Sequence, residues 1–267
     1  MGFLTDLVAG VRRALDAHPL DEGTLLARAA ARPPPRDFAA ALRARTPALI
    51  AEVKRASPSA GEIAADADPV ALAVAYETGG AAAISVLTER EHFSGSLTDL
   101  DAVRAVVRAP LLRKDFLVHP AQVIEARAHG ADAVLLITGC LTERELEAML
   151  TLAGDLGMSA LVETHGDEDL DRALTSGAEI IGVNARDLES LEVDVPLALE
   201  RLGRVPADRI AVLESGVRTR ADVEAGTASG ASAILVGEAL MRSGDPQAAV
   251  RSFSAPVGSV EGGEGSA

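Results

Sequence analysis

Of the 25 basic residues in this 267-residue chain, only Lys54 and Lys114 are lysines. The rest are arginines, in a chain crowded with alanine. A lysine that persists against such a bias marks a position arginine cannot fill. Burial can bring a lysine pKa into a useful range, whereas arginine stays charged. A lysine so tuned is a general acid at neutral pH. The neighbours carry the reading further. Lys54 closes the run Ile50-Ala51-Glu52-Val53-Lys54, and Lys114 lies in Leu112-Arg113-Lys114-Asp115-Phe116. Glu163 ends an apolar run, and Glu214 ends another just before Ser215-Gly216. Asn184 is the only asparagine and stands two residues before Arg186. Gly237-Glu238 follows the last apolar run. In an extended strand alternate residues share a face. Glu52 and Lys54 therefore go together, as do Lys114 and Phe116, and Asn184 and Arg186.

These residues need a frame that brings strand ends together. A short apolar run followed by an amphipathic stretch recurs along the chain. The spacing predicts strands over 48–53, 82–87, 110–114, 133–137, 159–163, 179–184, 209–214 and 232–236. Helices are expected over 69–78, 99–108, 121–129, 143–156, 167–176, 196–202 and 220–226. Thr142 to Glu145 reads as a capping box. The runs are nearly continuous in Ile, Val, Leu and Ala, as parallel strands buried on both faces require. Eight such units predict an α/β fold, a (β/α)8 barrel. No G-x-G-x-x-G follows the first strand, which disfavours an open doubly wound sheet. Residues 1–45 read as a helical extension packed on the barrel, 46–253 as the barrel, and 254–267 as a flexible, Gly/Ser-rich tail.

In such barrels the chemistry sits at the C-terminal ends of the strands. That end collects both lysines, the only asparagine and the carboxylates Glu52, Glu163 and Glu214. The alternative is a set of ion pairs without chemistry, but converging ionisable groups in a concave site favour function. Ser215-Gly216 and Gly237-Glu238 occupy the loops that hold phosphate in many barrels. Glycine lets backbone approach an anion, and free N–H groups at a helix start point at it. Glu238 is expected to contribute only its N–H.

Net charge is −15, which excludes a nucleic-acid surface. A small anionic ligand would need a local basic cluster. A single cysteine, Cys140, excludes a disulfide scaffold. No apolar run reaches the roughly 18 residues of a membrane span, and the N-terminus lacks a secretory pattern. A cytoplasmic protein without membrane contact is expected.

The segment IAEVKRASPSAGEI at 50–63 resembles the signature of the indole-3-glycerol phosphate synthase family. The similarity runs from about residue 45 to residue 242 through LLRKDF, LVE, IGVNARDL, ESGV and LVGEALM. The resemblance implies a (β/α)8 barrel whose N-terminal extension helps close the mouth. It implies conversion of 1-(2-carboxyphenylamino)-1-deoxy-D-ribulose 5-phosphate to indole-3-glycerol phosphate by ring closure, decarboxylation and dehydration. It implies no cofactor and no metal. Lys114 matches the general acid of ring closure, and Glu163 and Lys54 match the acid–base groups of dehydration. Glu52 matches a carboxylate that contacts substrate and orients its basic neighbours. Asn184 and Arg186 match polar groups near the reacting part. Ser57, Glu214, Ser215, Gly216, Gly237 and Glu238 match substrate and phosphate contacts, and Phe93 and Phe116 match apolar walls for the anthranilate ring. A monomer or weak homodimer is expected.

Thr138-Gly139-Cys140 departs from the apolar continuation usual in the family. Either the loop differs locally or a small hydroxyl lines the pocket. Cys140 reads as a small loop or core residue, since no histidine partner is evident. His165 is in reach of Glu163, or is a plain loop histidine. Phosphoribosylanthranilate isomerase is the nearest rival enzyme, but it uses a Cys and Asp pair, whereas the first strand here carries Glu52 and Lys54. A catalytically silent phosphate-binding barrel would not need Lys54, Lys114 and Glu163 together.

Overall fold

The computed structural model describes residues 2–256. Eight parallel strands close into a barrel in chain order. They are β1 Ala48–Val53, β2 Ala83–Leu87, β3 Leu111–Lys114, β4 Ala133–Ile137, β5 Ser159–Thr164, β6 Ile180–Asn184, β7 Ile210–Glu214 and β8 Ala233–Val236. Five strands begin one residue later than read off the sequence, and β5 runs one residue further, to Thr164, which pairs with Val183. Nearly every strand residue is buried. The inner face fills the barrel and the outer face meets helices, so no polar alternation is left to see.

Three helices precede the barrel: α1 Phe3–Ala17, α2 Glu22–Ala31 and α3 Phe38–Arg43. The barrel helices are α4 Pro69–Gly79, α5 Leu97–Val106, α6 Pro120–Ala128, α7 Glu143–Asp155, α8 Asp167–Thr175, α9 Val195–Leu202 and α10 Arg220–Ala228. Side chains cap most of their starts, among them Asp68, Ser96, Asp194 and Thr219. Thr142 and Glu145 form the capping box of α7, which satisfies two otherwise orphaned N–H groups. Two further helices, α11 Glu238–Met241 and α12 Pro246–Ser254, follow β8. A short hairpin, Ala56–Ser57 with Gly61–Glu62, follows β1. Ser254 closes α12, and the carbonyls of Ala255 and Pro256 accept hydrogen bonds from Arg220. Arg220 thus holds Ala255 and Pro256, which the sequence reading places in the tail. The remainder, 257–267, lies outside the described residues.

The extension travels the height of the barrel. α1 meets the turn Thr138–Cys140 that follows β4. There Arg12 donates to the Cys140 carbonyl at 3.2 Å and pairs with Glu145 at 3.0 Å. α2 lies on the outer wall, with Leu25 and Ala29 against Ile124 and Ala128 of α6. Each large apolar side chain buried there contributes about 1.5–3 kcal/mol. α3 ends just before β1 and packs on β1, β2 and β7, with Phe38 and Leu42 wholly buried. It covers the N-terminal ends of the strands and leaves the opposite end for chemistry.

Candidate active site

The pairing register sets the polar strand residues at similar heights. Glu52 stands beside Ser85, Glu163 beside Ile137 and Gly182, and Asn184 beside Glu214. They lie at the C-terminal ends of β1, β5, β6 and β7, where the barrel opens into a cavity of about 360 Å³. The wall holds Glu52, Lys54, Lys114, Glu163, Asn184, Arg186 and Glu214. It also holds Ser57, Phe93, Phe116, Ser215, Gly216, Gly237 and Glu238. The catalytic and substrate-contact residues matched from the sequence are thus brought to one wall, whereas Thr138 and His165 are not part of it.

Two ion clusters organise the floor. Lys54 Nζ lies 3.0 Å from Glu52 Oε1. Lys114 Nζ lies between two carboxylates, 3.2 Å from Glu163 Oε2 and 3.6 Å from Glu214 Oε2. Glu163 and Glu214 are each 1% exposed. Burial works to lower the Lys114 pKa, but the charges of Glu163, Glu214 and Glu52 outweigh it and raise it. Burial alone would raise the Glu163 carboxyl. Lys114 first, then His165 and the Asn184 amide, reverse this and hold it well below the usual carboxylate range. Burial pushes Glu214 well above that range, and the neighbouring Glu163 charge adds to it. The resting floor therefore holds an ammonium, a carboxylate and a carboxyl inclined to keep its proton. That arrangement cancels charge where water is scarce.

Two glycines make the packing of these acids possible. A methyl group at Gly182 of β6 would overlap Glu214 Oε1, and one at Gly237 would press on the Glu52 carboxylate. Neither was marked as making room for an acid in the sequence, although a glycine inside a strand signals close approach.

The rim divides by chemistry. Phe93 and Phe116 face each other with ring centroids 6.1 Å apart. Leu188, Leu191 and Phe3 extend this apolar side. Phe3 comes from α1, and its ring meets His92 edge-on at 5.1 Å. On the other side Ser215 and Gly216 both have positive φ, 64° and 73°. Two left-handed residues in succession turn the backbone sharply after β7. Arg186, Arg218 and Arg242 also line the wall. The Glu238 carboxylate is turned onto Arg242, 2.9 Å away. Phe3, Arg218 and Arg242 escaped the sequence reading, because neither their type nor their spacing sets them apart in a chain full of arginine.

After β4 the residues Thr138–Cys140 form a 3-10 turn. Thr138 does not line the cavity; its buried hydroxyl donates to the Glu163 carbonyl at 3.0 Å. Cys140 is buried, and burial followed by the Glu163 charge pushes its thiol up, so it is no nucleophile. Among the described residues no helix is long and apolar enough to cross a membrane.

Comparison with known proteins agrees with this geometry. A family model described as indole-3-glycerol phosphate synthase matches residues 4–253. The indole-3-glycerol phosphate synthases of Mycobacterium avium (strain 104) and Mycolicibacterium gilvum (strain PYR-GCK) are 54% and 53% identical over 249 residues. Each alignment covers 92% of this chain and 92% of the relative. Among solved structures, KGPDC from Streptococcus mutans matches with TM-score 0.61 and 14% identity, over 78% of this chain and 96% of that one. Thiamine phosphate pyrophosphorylase from Pyrococcus furiosus matches with TM-score 0.58 and 18% identity, over 79% of this chain and 95% of that one. Those two likenesses speak for the barrel alone. The family match and the relatives go further: the chain belongs to the indole-3-glycerol phosphate synthase family.

Proposed function

We propose that Lys114 is the general acid of ring closure, and that Glu163 and Lys54 are the base and acid of the dehydration that follows. The reaction is that of the family: the carboxy-lyase conversion of 1-(2-carboxyphenylamino)-1-deoxy-D-ribulose 5-phosphate to indole-3-glycerol phosphate, in tryptophan biosynthesis. The observation that carries the assignment is the Lys114 ammonium, held between Glu163 and Glu214 at the cavity floor. It donates its proton to the ketose carbonyl oxygen as the ring carbon bearing the carboxylate attacks. The C–C bond forms, CO2 leaves, and its bonding electrons restore the aromatic ring. The alkoxide formed at the former carbonyl takes up one proton per turnover, and Lys114, kept protonated by its acidic neighbours rather than tuned down by burial, supplies it.

Dehydration then needs a base and an acid. Glu163 is held as a carboxylate, which suits the base. Lys54, paired with Glu52, faces the same cavity and suits the acid for the departing hydroxyl. Asn184 steadies Glu163, donating to Oε1 at 3.0 Å. Arg186 meets the substrate carboxylate without overholding it, since a tight ground-state pair would raise the decarboxylation barrier. Phe93 and Phe116 enclose the anthranilate ring. The backbone at Ser215-Gly216 and Gly237-Glu238 receives the phosphate, with Ser57 and Glu214 touching the substrate's polar groups. Glu238 serves through its N–H, since its carboxylate is taken by Arg242.

The N-terminal extension contributes Phe3 to the cavity wall, which supports a part in covering the seated substrate. The substrate is a small phosphorylated anion; nucleic acid and membrane are not partners in this reading. The enzyme works without cofactor or metal in the cytoplasm, as a monomer or weak homodimer. The test is to mix purified protein with the carboxyphenylamino deoxyribulose phosphate and follow indole fluorescence. Fluorescence rises with the native chain and stays flat with folded Lys114→Ala. A rise of equal rate in Lys114→Ala would overturn the assignment.

A further inference from the structure

The two oxygens of Glu163 face different surroundings. Oε2 faces Lys114 Nζ at 3.2 Å, on the cavity side. Oε1 accepts from the Asn184 amide at 3.0 Å and lies 3.0 Å from His165 Nε2. His165 does not line the cavity. It sits on the turn from β5 into α8, with its side chain 9% exposed, and reaches Glu163 two residues back along the chain.

That turn is anchored on both sides. The His165 N–H donates to Asp169 Oδ2 at 3.3 Å, and its carbonyl accepts from Arg201 Nη1 at 2.7 Å. The ring nitrogen Nδ1 lies 4.0 Å from Asp169 Oδ2. α8 and α9 together thus hold the ring 3.0 Å from Glu163, at ion-pair distance rather than in hydrogen-bond geometry. Glu163 meets it from β5, Asp169 from α8 and Asp187 from the loop after β6. Glu163 itself is faced by Lys114 of β3, Asn184 of β6, Glu214 of β7 and Cys140 of the turn after β4.

We propose that His165 is a positioning residue for the dehydration step, pinning Glu163 Oε1 with Asn184 so that Oε2 alone meets the substrate. This rests on reading Glu163 as the base of that step. In it, Oε2 takes the proton from the carbon next to the nitrogen. The C–H electrons become the ring double bond, and the C–O bond of the neighbouring carbon breaks. The hydroxyl leaves as water with a proton from Lys54. Charge and atoms balance, and solvent restores both groups after product departs. A carboxylate free to rotate would present either oxygen and miss the C–H geometry. His165 has no such part in ring closure, where Lys114 supplies the proton.

The experiment compares His165→Ala and His165→Gln in single turnovers of the carboxyphenylamino deoxyribulose phosphate, quenched and read by mass. With His165→Ala, kcat falls about tenfold, the loss expected when the close contact that fixes Oε1 is removed. KM stays within about twofold, since His165 lies outside the cavity. Substrate disappears at the native rate, while a species lighter by CO2 but not by water accumulates. His165→Gln, whose amide can reach the same oxygen, recovers most of the loss. Equal slowing of substrate loss and dehydration, or a Gln variant no better than Ala, overturns the proposal. Glu163→Gln in the same assay separates the two layers. If it leaves dehydration intact, the reading of Glu163 fails. If it blocks dehydration while the His165 variants do not, only the role of His165 falls.

Discussion

Lys114→Met removes the ammonium that faces both Glu163 and Glu214, at 3.2 and 3.6 Å. At an effective dielectric constant of about 20, the contact with the Glu163 carboxylate is an attraction of about 5 kcal/mol. Desolvation cancels much of that, and breaking a buried pair by removing one partner costs about 3–5 kcal/mol net. The structure also says how the loss depends on pH. Glu214 already has a raised pKa from burial and the Glu163 charge, and Lys114 is what restrains it. Without Lys114 it rises further. A carboxyl with a raised folded pKa supports the fold fully below its ordinary value and loses that support as pH rises toward the folded value. Each pH unit in that window costs about 1.4 kcal/mol. The deficit is therefore smaller at about pH 5, where only the Glu163 contact is lost, and reaches about 3–5 kcal/mol at about pH 8, where Glu214 must also ionise without Lys114. For a chain of this size that is a melting temperature lower by about 6–20 °C at the higher pH. Thermal unfolding at the two pH values measures it. Adding Glu214→Gln, which removes the acid that would have to ionise, recovers at least half of the deficit. An equal deficit at both pH values, unrelieved by Glu214→Gln, would refute the shared-charge account of the floor.

Gly182→Ala drives a methyl into the space of Glu214 Oε1; unfolding measurements are expected to show a loss of about 1–3 kcal/mol, with kcat falling more than KM rises. Glu163 has a lowered carboxyl, so its stabilisation is complete above the ordinary range and is lost as pH falls through it; Glu163→Gln flattens the acid side of the stability–pH curve. Phe3→Ala removes the edge contact with His92 and part of the cavity wall; steady-state kinetics are expected to show a KM several-fold higher, with chemistry little changed. Leu25→Ala opens the α2–α6 contact far from the mouth; denaturant titration should report about 2–3 kcal/mol lost, with kcat unaltered at a temperature where the variant is folded.

The barrel was legible because its strands are buried on both faces, so apolar runs and their polar ends stand out in a linear sequence. Glu52, Lys54, Lys114, Glu163, Asn184 and Glu214 are visible for the same reason: each interrupts or ends such a run. What could not be read depends on contacts between distant segments. Phe3 is one apolar residue among many until α1 is laid across the mouth. Gly182 is an ordinary strand glycine until Glu214 is packed against it from β7. α11 is only four residues long, too short to show a helical period. The hydroxyl of Thr138 was a candidate wall group, yet it turns back to a backbone carbonyl that only the tertiary fold brings near.

The path of the N-terminal helices has a consequence for synthesis. Residues 3–43 leave the ribosome ahead of their partners: Ile124 and Ala128 for α2, Cys140, Glu145 and Glu189 for α1, and β7 for α3. The apolar faces of these helices must wait uncovered while most of the chain is made, the period in which nascent chains are most prone to aggregate. A nascent chain halted before residue 210 carries α3 without β7 to receive it. Complete docking of α3 therefore reports that β7 has arrived.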